Sequence, residues 1–408
     1  MNNERKQLIP DLRFPEFVND AEWKNKGLGE YLDYIQPTNY LVNSTSYDDS
    51  YETPVLTAGK TFILGYTDET TGIFAENLPV IIFDDFTTAV QYVDFPFKAK
   101  SSAMKILLPK DNASIKFFYE SIQNINYISA AHQRHWISIF SKIEVPVPTN
   151  NIEQQKIASC LSSLDELITA QKEKLELLKN HKKGLMQNLF PQEGETVPKF
   201  RFPEFENDGE WKPTTVEKNC VLKGRIGYRG YTKEDLVRKG EGAIVLGGKH
   251  IQNQLLYLAD PTFLSWEKYY ESPEIMVEKN HIIFSQRGSL GDCAIIDNEI
   301  GKATINPSMV LMKNFKCDER FLYYVLIGEA IQREVARVSS LAAIPMLSQK
   351  QIKEFPFLIP LPKEQKKIAI CLSFLDNLIS AQTGKIERLQ LHKKGLMQGL
   401  FPKVIDQI

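Results

Sequence analysis

Residues 153–191 read EQQKIASCLSSLDELITAQKEKLELLKNHKKGLMQNLFP, and residues 364–402 read EQKKIAICLSFLDNLISAQTGKIERLQLHKKGLMQGLFP. The two stretches agree at 27 of 39 positions, at an offset of 211 residues. A shorter repeat lies upstream of each one: PDLRFPEFVNDAEWK at 10–24 and PKFRFPEFENDGEWK at 198–212 agree at 11 of 15 positions. Repetition of this kind is the mark of a duplicated structural unit. The chain is therefore predicted to contain one architecture twice.

The long repeat carries an apolar seam whose residues alternate three and four apart, the spacing of a coiled coil. The predicted seam residues are Leu161, Leu164, Ile168, Gln171, Leu175, Leu178, Leu372, Leu375, Ile379, Gln382, Ile386 and Leu389. About 37 residues at about 1.5 Å each give a helix of roughly 55 Å. Because each copy must bury its apolar stripe, we predict that they pair as a long antiparallel two-helix coiled coil. The alternative is two amphipathic helices that each cover their own domain.

The segments between the repeats, 25–151 and 213–363, differ in most of their sequence but keep three landmarks in the same order. Residues 55–60 resemble 244–249, residues 81–83 resemble 282–284, and residues 103–107 resemble 308–312. Short apolar runs followed by helical runs near 115–124 and 319–338 indicate a mixed domain in each segment. We predict an α+β fold with a pseudo-twofold internal repeat, in which two similar domains present different surfaces.

The composition excludes several classes of protein. The chain has no run of 18 apolar residues and no apolar leader, so neither a membrane helix nor a secretory signal is predicted. Its five cysteines form no Cys-x-x-Cys or Cys/His cluster, which argues against disulfides and zinc and favours a reducing cytoplasm. The net charge of −2 is low for a protein that holds DNA alone. A DNA-binding role would thus require a partner that shares the phosphate contacts.

No catalytic, cofactor or metal site is predicted on this chain. Residues 242–250 approach a phosphate-binding loop, but an extra residue precedes Lys249 and His250 replaces the magnesium-binding hydroxyl. The loops instead carry side chains that suit nucleic acid, since Arg and Gln bind base edges and small hydroxyls bind phosphates. Each of these residues alone also fits a solvated surface. The candidate DNA-binding residues are Lys60, Thr87, Thr88, Lys100, Ser101, Ser102 and Arg134 in the first segment, and Arg225, Tyr228, Arg229, Lys249, His250, Gln252, Gln286, Arg287 and Ser289 in the second.

The whole arrangement resembles the specificity subunits of type I restriction–modification systems. Two unlike segments alternate with two repeated helices, and each helix follows a Pro-x-Pro strand end (146–148 and 360–362) and begins Glu-Gln-x-Lys-Ile-Ala. The resemblance covers nearly the whole chain. It implies two target-recognition domains that each read half of a split DNA site, on helices that set the spacing and dock two modification subunits. It also implies that restriction (translocase) subunits join the complex, and that S-adenosylmethionine, ATP and Mg²⁺ bind to the partners.

The repeats give the domain bounds, and two arginines are assigned roles. The predicted bounds are 1–151 and 192–363 for the target-recognition domains, 152–191 and 364–402 for the repeated helices, and 403–408 for a tail. Arg287 lies in an Arg-x-Gly element similar to one that is frequent in the family, so we expect it to hold phosphate. Arg225 lies in a loop particular to the second domain, so we expect it to read a base. The alternatives are a single-chain methyltransferase or nuclease with a fused recognition region, and a coiled-coil adaptor.

Overall fold

The computed structural model describes residues 8–59, 61–125, 135–340 and 345–402. The chain divides into two compact units: unit 1 comprises Met1–Glu173 and Gly384–Ile408, and unit 2 comprises Lys174–Thr383. Each unit therefore contains one mixed domain, the first part of one long helix and the last part of the other. The domain bounds predicted from the repeats stay a prediction.

Unit 1 is built from a four-stranded antiparallel sheet, a three-stranded sheet and a two-stranded ribbon. Its strands are β1 (Lys24–Gly27), β2 (Leu32–Ile35), β3 (Thr53–Leu56), β4 (Ile63–Thr67), β5 (Val80–Asp84), β6 (Val90–Val93), β7 (Lys98–Ala99), β8 (Met104–Pro109) and β9 (Glu144–Val147). Its helices are α1 (Leu28–Tyr31), α2 (Ile115–Gln123), α3 (His135–Ser138) and the start of α4 (Asn151–Leu189). The strand orders are β2-β8-β5-β6, β4-β3-β7 and β1-β9.

Unit 2 repeats this plan with additional short strands. Its strands are β10 (Lys212–Thr215), β11 (Val221–Gly224), β12 (Leu236–Val237), β13 (Gly242–Leu246), β14 (Ile251–Gln252), β15 (Leu255–Leu256), β16 (Thr262–Ser265), β17 (Met276–Val277), β18 (Ile282–Ser285), β19 (Cys293–Ile295), β20 (Ala303–Ile305), β21 (Met309–Lys313) and β22 (Pro356–Ile359). Its helices are α5 (Val216–Asn219), α6 (Trp266–Tyr270), α7 (Glu319–Ile327), α8 (Glu329–Ser340), α9 (Gln349–Glu354) and the start of α10 (Pro362–Leu400). The strand orders are β11-β21-β18-β19, β12-β16-β13-β20-β17, β10-β22 and β14-β15.

The three sequence landmarks correspond to equivalent strands, which confirms the α+β fold class and the internal repeat. The first landmark forms β3 and β13, the second forms β5 and β18, and the third forms β8 and β21. In each unit the second and third landmarks pair antiparallel in the four-stranded sheet. The helical runs predicted near 115–124 and 319–338 are confirmed, and the second one forms two helices because the chain leaves the helical conformation at Gly328.

The central strands β5 and β18 are apolar at every position but the last because both faces of each strand are buried. In β5, Ile81 and Phe83 enter the core beneath α2, whereas Val80 and Ile82 enter a second core against the three-stranded sheet. A strand covered on both faces needs an apolar residue at every position. The same division occurs in β18, so each domain has two cores separated by one sheet.

The short repeat fixes the start of each long helix. In unit 1, Arg13 pairs with both carboxylate oxygens of Glu153 at 2.7 and 2.8 Å, and the Trp23 indole N–H donates to the same carboxylate. In unit 2, Arg201 binds both carboxylate oxygens of Glu364 at 2.9 and 2.7 Å, and the Trp211 indole N–H donates to the same carboxylate at 3.3 Å. These glutamates lie in the first turn of α4 and α10, where the helix dipole stabilises a negative charge.

The phenylalanine that follows each long helix packs against the tryptophan of the short repeat and a phenylalanine of a domain helix. Phe401, just after α10, lies 6.1 Å from Trp23 and 5.2 Å from Phe117 between ring centres in unit 1. Phe190, just after α4, lies 6.0 Å from Trp211 and packs on Phe321 in unit 2. Within each unit, the start of one long helix therefore meets the end of the other, which is the antiparallel arrangement that the sequence predicts.

The predicted seam residues are all buried or half-buried. Leu161 and Leu372 have no exposed surface, and Gln382 keeps 7% of its surface despite its polar side chain. Several apolar residues outside the seam remain exposed, including Phe374 at 62% and Leu391 at 70%. No helix in the described part of the chain is long and apolar enough to cross a membrane.

Candidate nucleic-acid interface

Three loops of unit 2 converge because of the sheet order. Strands β13 and β20 run parallel, with Leu246 beside Ile305, so the loops that follow them lie at the same edge. Strand β18 runs antiparallel to β21, which brings the loop after Ser285 to that edge as well. We call this surface the recognition edge of unit 2, formed by 247–250, 286–289 and 306–308.

Unit 1 builds the same backbone frame from different residues. The Lys100 N–H donates to the Leu56 carbonyl at 3.0 Å, as the Asn306 N–H donates to the Leu246 carbonyl at 2.8 Å in unit 2. The Asp85 N–H donates to the Ala103 carbonyl at 3.0 Å, as Gln286 donates to Ser308 at 2.9 Å. The recognition edge of unit 1 therefore consists of 57–59, 85–88 and 100–103.

Several predicted DNA-binding residues come together at the recognition edge of unit 2. Lys249, Arg287 and Ser289 are exposed, and Gln252 is exposed on the adjoining strand β14. The Lys249 ammonium contacts the Asp260 carbonyl at 3.1 Å and the Thr262 hydroxyl at 3.3 Å. The Gln286 side chain is half-buried, and its amide donates to the Pro307 carbonyl at 2.8 Å. The edge thus carries two exposed cations beside amide and hydroxyl groups.

The side chain of His250 is not exposed at this edge, contrary to the expectation from sequence. Its side chain is 1% exposed, and its Nδ1 accepts the Gly247 N–H at 2.9 Å. Burial, followed by the charge of Lys249, lowers the pKa of His250, so the ring is neutral at physiological pH. The imidazole stabilises the turn at 247–250 from inside, where it is not placed to contact DNA.

Arg225 is also placed differently from the expectation that it reads a base. It is 9% exposed, its Nε donates to the Ile305 carbonyl at 3.2 Å, and its Nη2 donates to the Thr304 hydroxyl at 3.0 Å. Its guanidinium lies 5.1 Å from the centre of the Tyr231 ring. Because these partners occupy the guanidinium, Arg225 anchors its loop to β20 and does not present a free base-binding group.

The anchored loop presents its two neighbouring candidates instead. Tyr228 is 81% exposed, and the guanidinium carbon of Arg229 lies 5.6 Å from its ring centre. Arg229 is held by Glu274 at 3.3 Å but remains half-buried at the surface. An exposed aromatic ring beside a cation is a combination that can stack on a base and contact a phosphate.

The candidates of unit 1 form a smaller polar surface. Thr87 and Thr88 lie in the tight turn after β5, where Asp84 accepts the N–H groups of Phe86 and Thr87 at 2.9 and 2.7 Å. Lys100 contacts the Tyr47 hydroxyl at 3.0 Å, and its neighbours Ser101 and Ser102 are exposed. Lys60 and Arg134 lie outside the described residues.

Sequence reasoning missed two features of these edges. Asp85 and Lys105 form an ion pair at 3.1 Å whose side chains are 1% and 0% exposed, and Asp85 also accepts the Trp136 N–H. Asn306 binds the Ser308 hydroxyl and N–H and so shapes the edge of unit 2. Among the described residues, no group of three His, Cys, Asp or Glu side chains is arranged to hold a metal ion.

The chain has two domains that share one backbone frame, carry different side chains at their recognition edges and are each joined to a repeated helix. This arrangement is typical of a protein that binds two different sites with two similar domains. The sequence profile described as the type I restriction modification DNA specificity domain matches residues 20–180 and 224–391. The chain therefore belongs to the family of type I restriction–modification specificity subunits.

Individual relatives agree with this assignment. The chain is 32% identical over 392 residues to the EcoR124I/EcoR124II specificity subunit of Escherichia coli, covering 92% of each chain. It is 26% identical over 276 residues to the MjaVIII specificity subunit of Methanocaldococcus jannaschii, covering 64% of this chain and 62% of that one. Its fold matches the crystal structure of an S subunit from M. genitalium with a TM-score of 0.66 and 17% identity, over 98% of this chain and 100% of the other. These relatives do not support the alternatives of a fused enzyme or a coiled-coil adaptor.

Proposed function

We propose that the two recognition edges each read one half of a bipartite DNA target. The observation that carries this proposal is the shared hydrogen-bond frame of the edges, which holds different side chains in the two units. A frame that is constant while its side chains vary suits a protein that reads two unlike sequences in the same way. Exposed Lys249 and Arg287 and half-buried Arg229 supply cations in unit 2, and Lys100 supplies one in unit 1.

The complex that we propose contains DNA, two modification subunits docked on the repeated helices, and restriction subunits. This chain then contributes recognition, whereas S-adenosylmethionine, ATP and Mg²⁺ bind to the partner subunits, which carry out methylation and cleavage. The net charge of −2 fits a shared DNA interface, because the partners would provide many of the phosphate contacts. We place this complex in the cytoplasm, together with the DNA that it modifies.

Exchange of one recognition domain tests the proposal. Residues 25–151 would be replaced by the corresponding segment of a relative, and methylated DNA from cells that express the complex would be sequenced. We expect one half of the target to change while the other half and the spacer between them stay the same. The matched experiment replaces residues 213–363 and should change the other half. A change in both halves after either exchange would contradict independent reading.

A further inference from the structure

An aspartate and a lysine of the repeated helices form the same ion pair in both units. In unit 1, Asp165 of α4 lies 2.8 Å from the ammonium of Lys393 of α10. In unit 2, Asp376 of α10 lies 2.5 Å from the ammonium of Lys182 of α4. The four residues occupy equivalent positions of the repeat, at the offset of 211. We call these pairs the helix ion pair of unit 1 and of unit 2.

In unit 1, the recognition domain adds two charged residues to the helix ion pair. Glu120 of α2 lies 3.0 Å from Lys393, and Lys116 of α2 lies 2.7 Å from Asp165 and 2.8 Å from Glu120. Glu120 is fully buried, and Lys116 and Lys393 are 10% and 15% exposed. Two cations and two anions therefore alternate in one cluster. Burial alone would raise the pKa of Asp165, but the hydrogen bonds from Lys116 and Lys393 outweigh it and lower this pKa.

In unit 2, the recognition domain meets the same ion pair with a neutral residue. Tyr324 of α7 donates its hydroxyl to Asp376 at 2.6 Å and contacts the Ser373 hydroxyl at 3.2 Å. Its ring centre lies 5.5 Å from the Lys182 ammonium. Burial and the charge of Asp376 raise the pKa of Tyr324, so the hydroxyl stays protonated and acts as a donor. Tyr324 takes the place of Glu120, since each lies three residues after the matching Phe321 or Phe117.

These contacts lie away from the recognition edges. In unit 1 the edge adjoins Met104, at the start of β8, whereas α2 follows the other end of that strand at Pro109. Five residue steps at about 3.3 Å separate those ends by roughly 17 Å. The partners of Glu120 and Tyr324 in these contacts are residues of α2, α4 and α10, and none of them is a residue proposed to bind DNA. Buried ionic contacts of this kind are well suited to fixing one register among several.

We propose that Glu120 and Tyr324 are positioning residues that hold each recognition edge at a fixed place on the helices. Through the helix ion pairs they would select the length of the spacer between the two half-sites, and not the bases that are read. The inference rests on the proposed bipartite reading. It assigns spacer selectivity to residues of the variable domains as well as to the repeated helices.

The test uses the full chain in complex with its modification subunit, with Glu120→Gln and Tyr324→Phe as variants. Methyl transfer from S-adenosylmethionine would be measured on duplexes with constant half-sites and a spacer of preferred length, or longer or shorter by one base pair. We expect each variant to lose about tenfold in its preference for the correct spacer, the size expected for loss of one hydrogen bond to a charged group. The half-site bases should be unchanged. Lys218→Gln, which alters an exposed lysine of α5 outside the long helices and the recognition edge of unit 2, is the control and should keep the preference.

Tyr324→Phe keeps the ring in place, so it decides the question even if Glu120→Gln does not fold. Equal slowing on all spacer lengths would assign Glu120 and Tyr324 a purely structural role and overturn the inference alone. A wild-type complex that ignores half-site bases and spacer length would overturn the proposed function, and the inference with it. A variant that changes the bases read while keeping the spacer preference would also contradict the inference.

Discussion

Glu153 of unit 1 and Glu364 of unit 2 are bound alike, whereas the sites beneath the two recognition edges differ. Both glutamates accept from an Arg and a Trp of the short repeat. Under the edges, unit 1 buries the ion pair of Asp85 and Lys105, whereas the equivalent positions of unit 2 hold Gln286 and Val310. The contacts that hold the start of each long helix are thus uniform between the units, whereas each edge has its own internal support. The comparison separates the shared framework from the residues that distinguish the two domains.

The largest effect is expected from breaking the ion pair that only unit 1 contains. Lys105→Val leaves the Asp85 carboxylate buried without its cation, at a cost of about 3–5 kcal/mol to the stability of unit 1. The double variant Asp85→Gln with Lys105→Val copies unit 2 and should recover most of that loss, because it removes both charges. Hydrogen exchange of amides in β5 and β8 measures the effect on unit 1. A double variant as unstable as the single one would contradict this explanation of the difference.

A smaller loss of stability, equal in the two units, is expected from removing the glutamate that both units bind in the same way. Glu153→Gln and Glu364→Gln each leave a buried guanidinium without its carboxylate, which should cost about 1.5–3 kcal/mol. Because the donors and distances match, the two variants should destabilise their own units by the same amount. Hydrogen exchange resolves the units separately, as a two-unit chain need not unfold in one step. Losses that differ by more than about 1 kcal/mol would show that the two contacts are not equivalent in energy.

The next prediction compares how the turns after β5 and β18 affect DNA binding. Arg287 and Phe86 occupy equivalent positions there, one residue after the matching N–H groups of Gln286 and Asp85. If Arg287 holds a phosphate, Arg287→Ala should weaken binding evenly over a panel of target variants and reduce the salt slope by about one. Phe86→Ala, as the matched control, should leave the slope unchanged. A loss confined to one base position would instead assign base reading to Arg287.

The smallest effect is expected on the exposed face of α10. Ile370 and Phe374 are 59% and 62% exposed, and the equivalent residues of α4 are Ser159 and Ser163. The double variant Ile370→Ser with Phe374→Ser makes the helices alike at these positions and should change the free energy of unfolding by less than about 0.5 kcal/mol. Leu372→Ala, at a fully buried position, is the contrasting variant and should cost about 2–5 kcal/mol. Hydrogen exchange of the amides of unit 2 in both variants would measure the difference.

The long helices and the duplicated domains could be predicted because their signals are local. Heptad spacing and the repeated sequence require no knowledge of distant contacts, and the landmark runs coincide with β3, β5, β8 and their counterparts. The break at Gly328 was missed, since the sequence on both sides of it favours a helix. Local pattern identifies elements more reliably than it identifies their ends.

Placement of the polar side chains could not be predicted in the same way. Arg225 reads as a loop residue, yet its acceptors are Thr304 and Ile305, about 80 positions later in the chain. Lys105 lies in a strand where a lysine would ordinarily face solvent, and its burial depends on Asp85 in the turn that follows β5. His250 turns inward for the same kind of reason, because Gly247 supplies its donor within a buried turn.

The sequence by itself thus determined that the chain is a duplicated α+β protein with two long helices and two different loop sets. It could do so because periodicity and repetition are properties of neighbouring residues. Only the tertiary structure decided which loops share an edge and which charged groups lie inside. The order of strands brings residues from distant parts of the chain together, and burial then requires each polar group to find a partner. That requirement anchors Arg225 inside unit 2 and leaves Tyr228 at its surface.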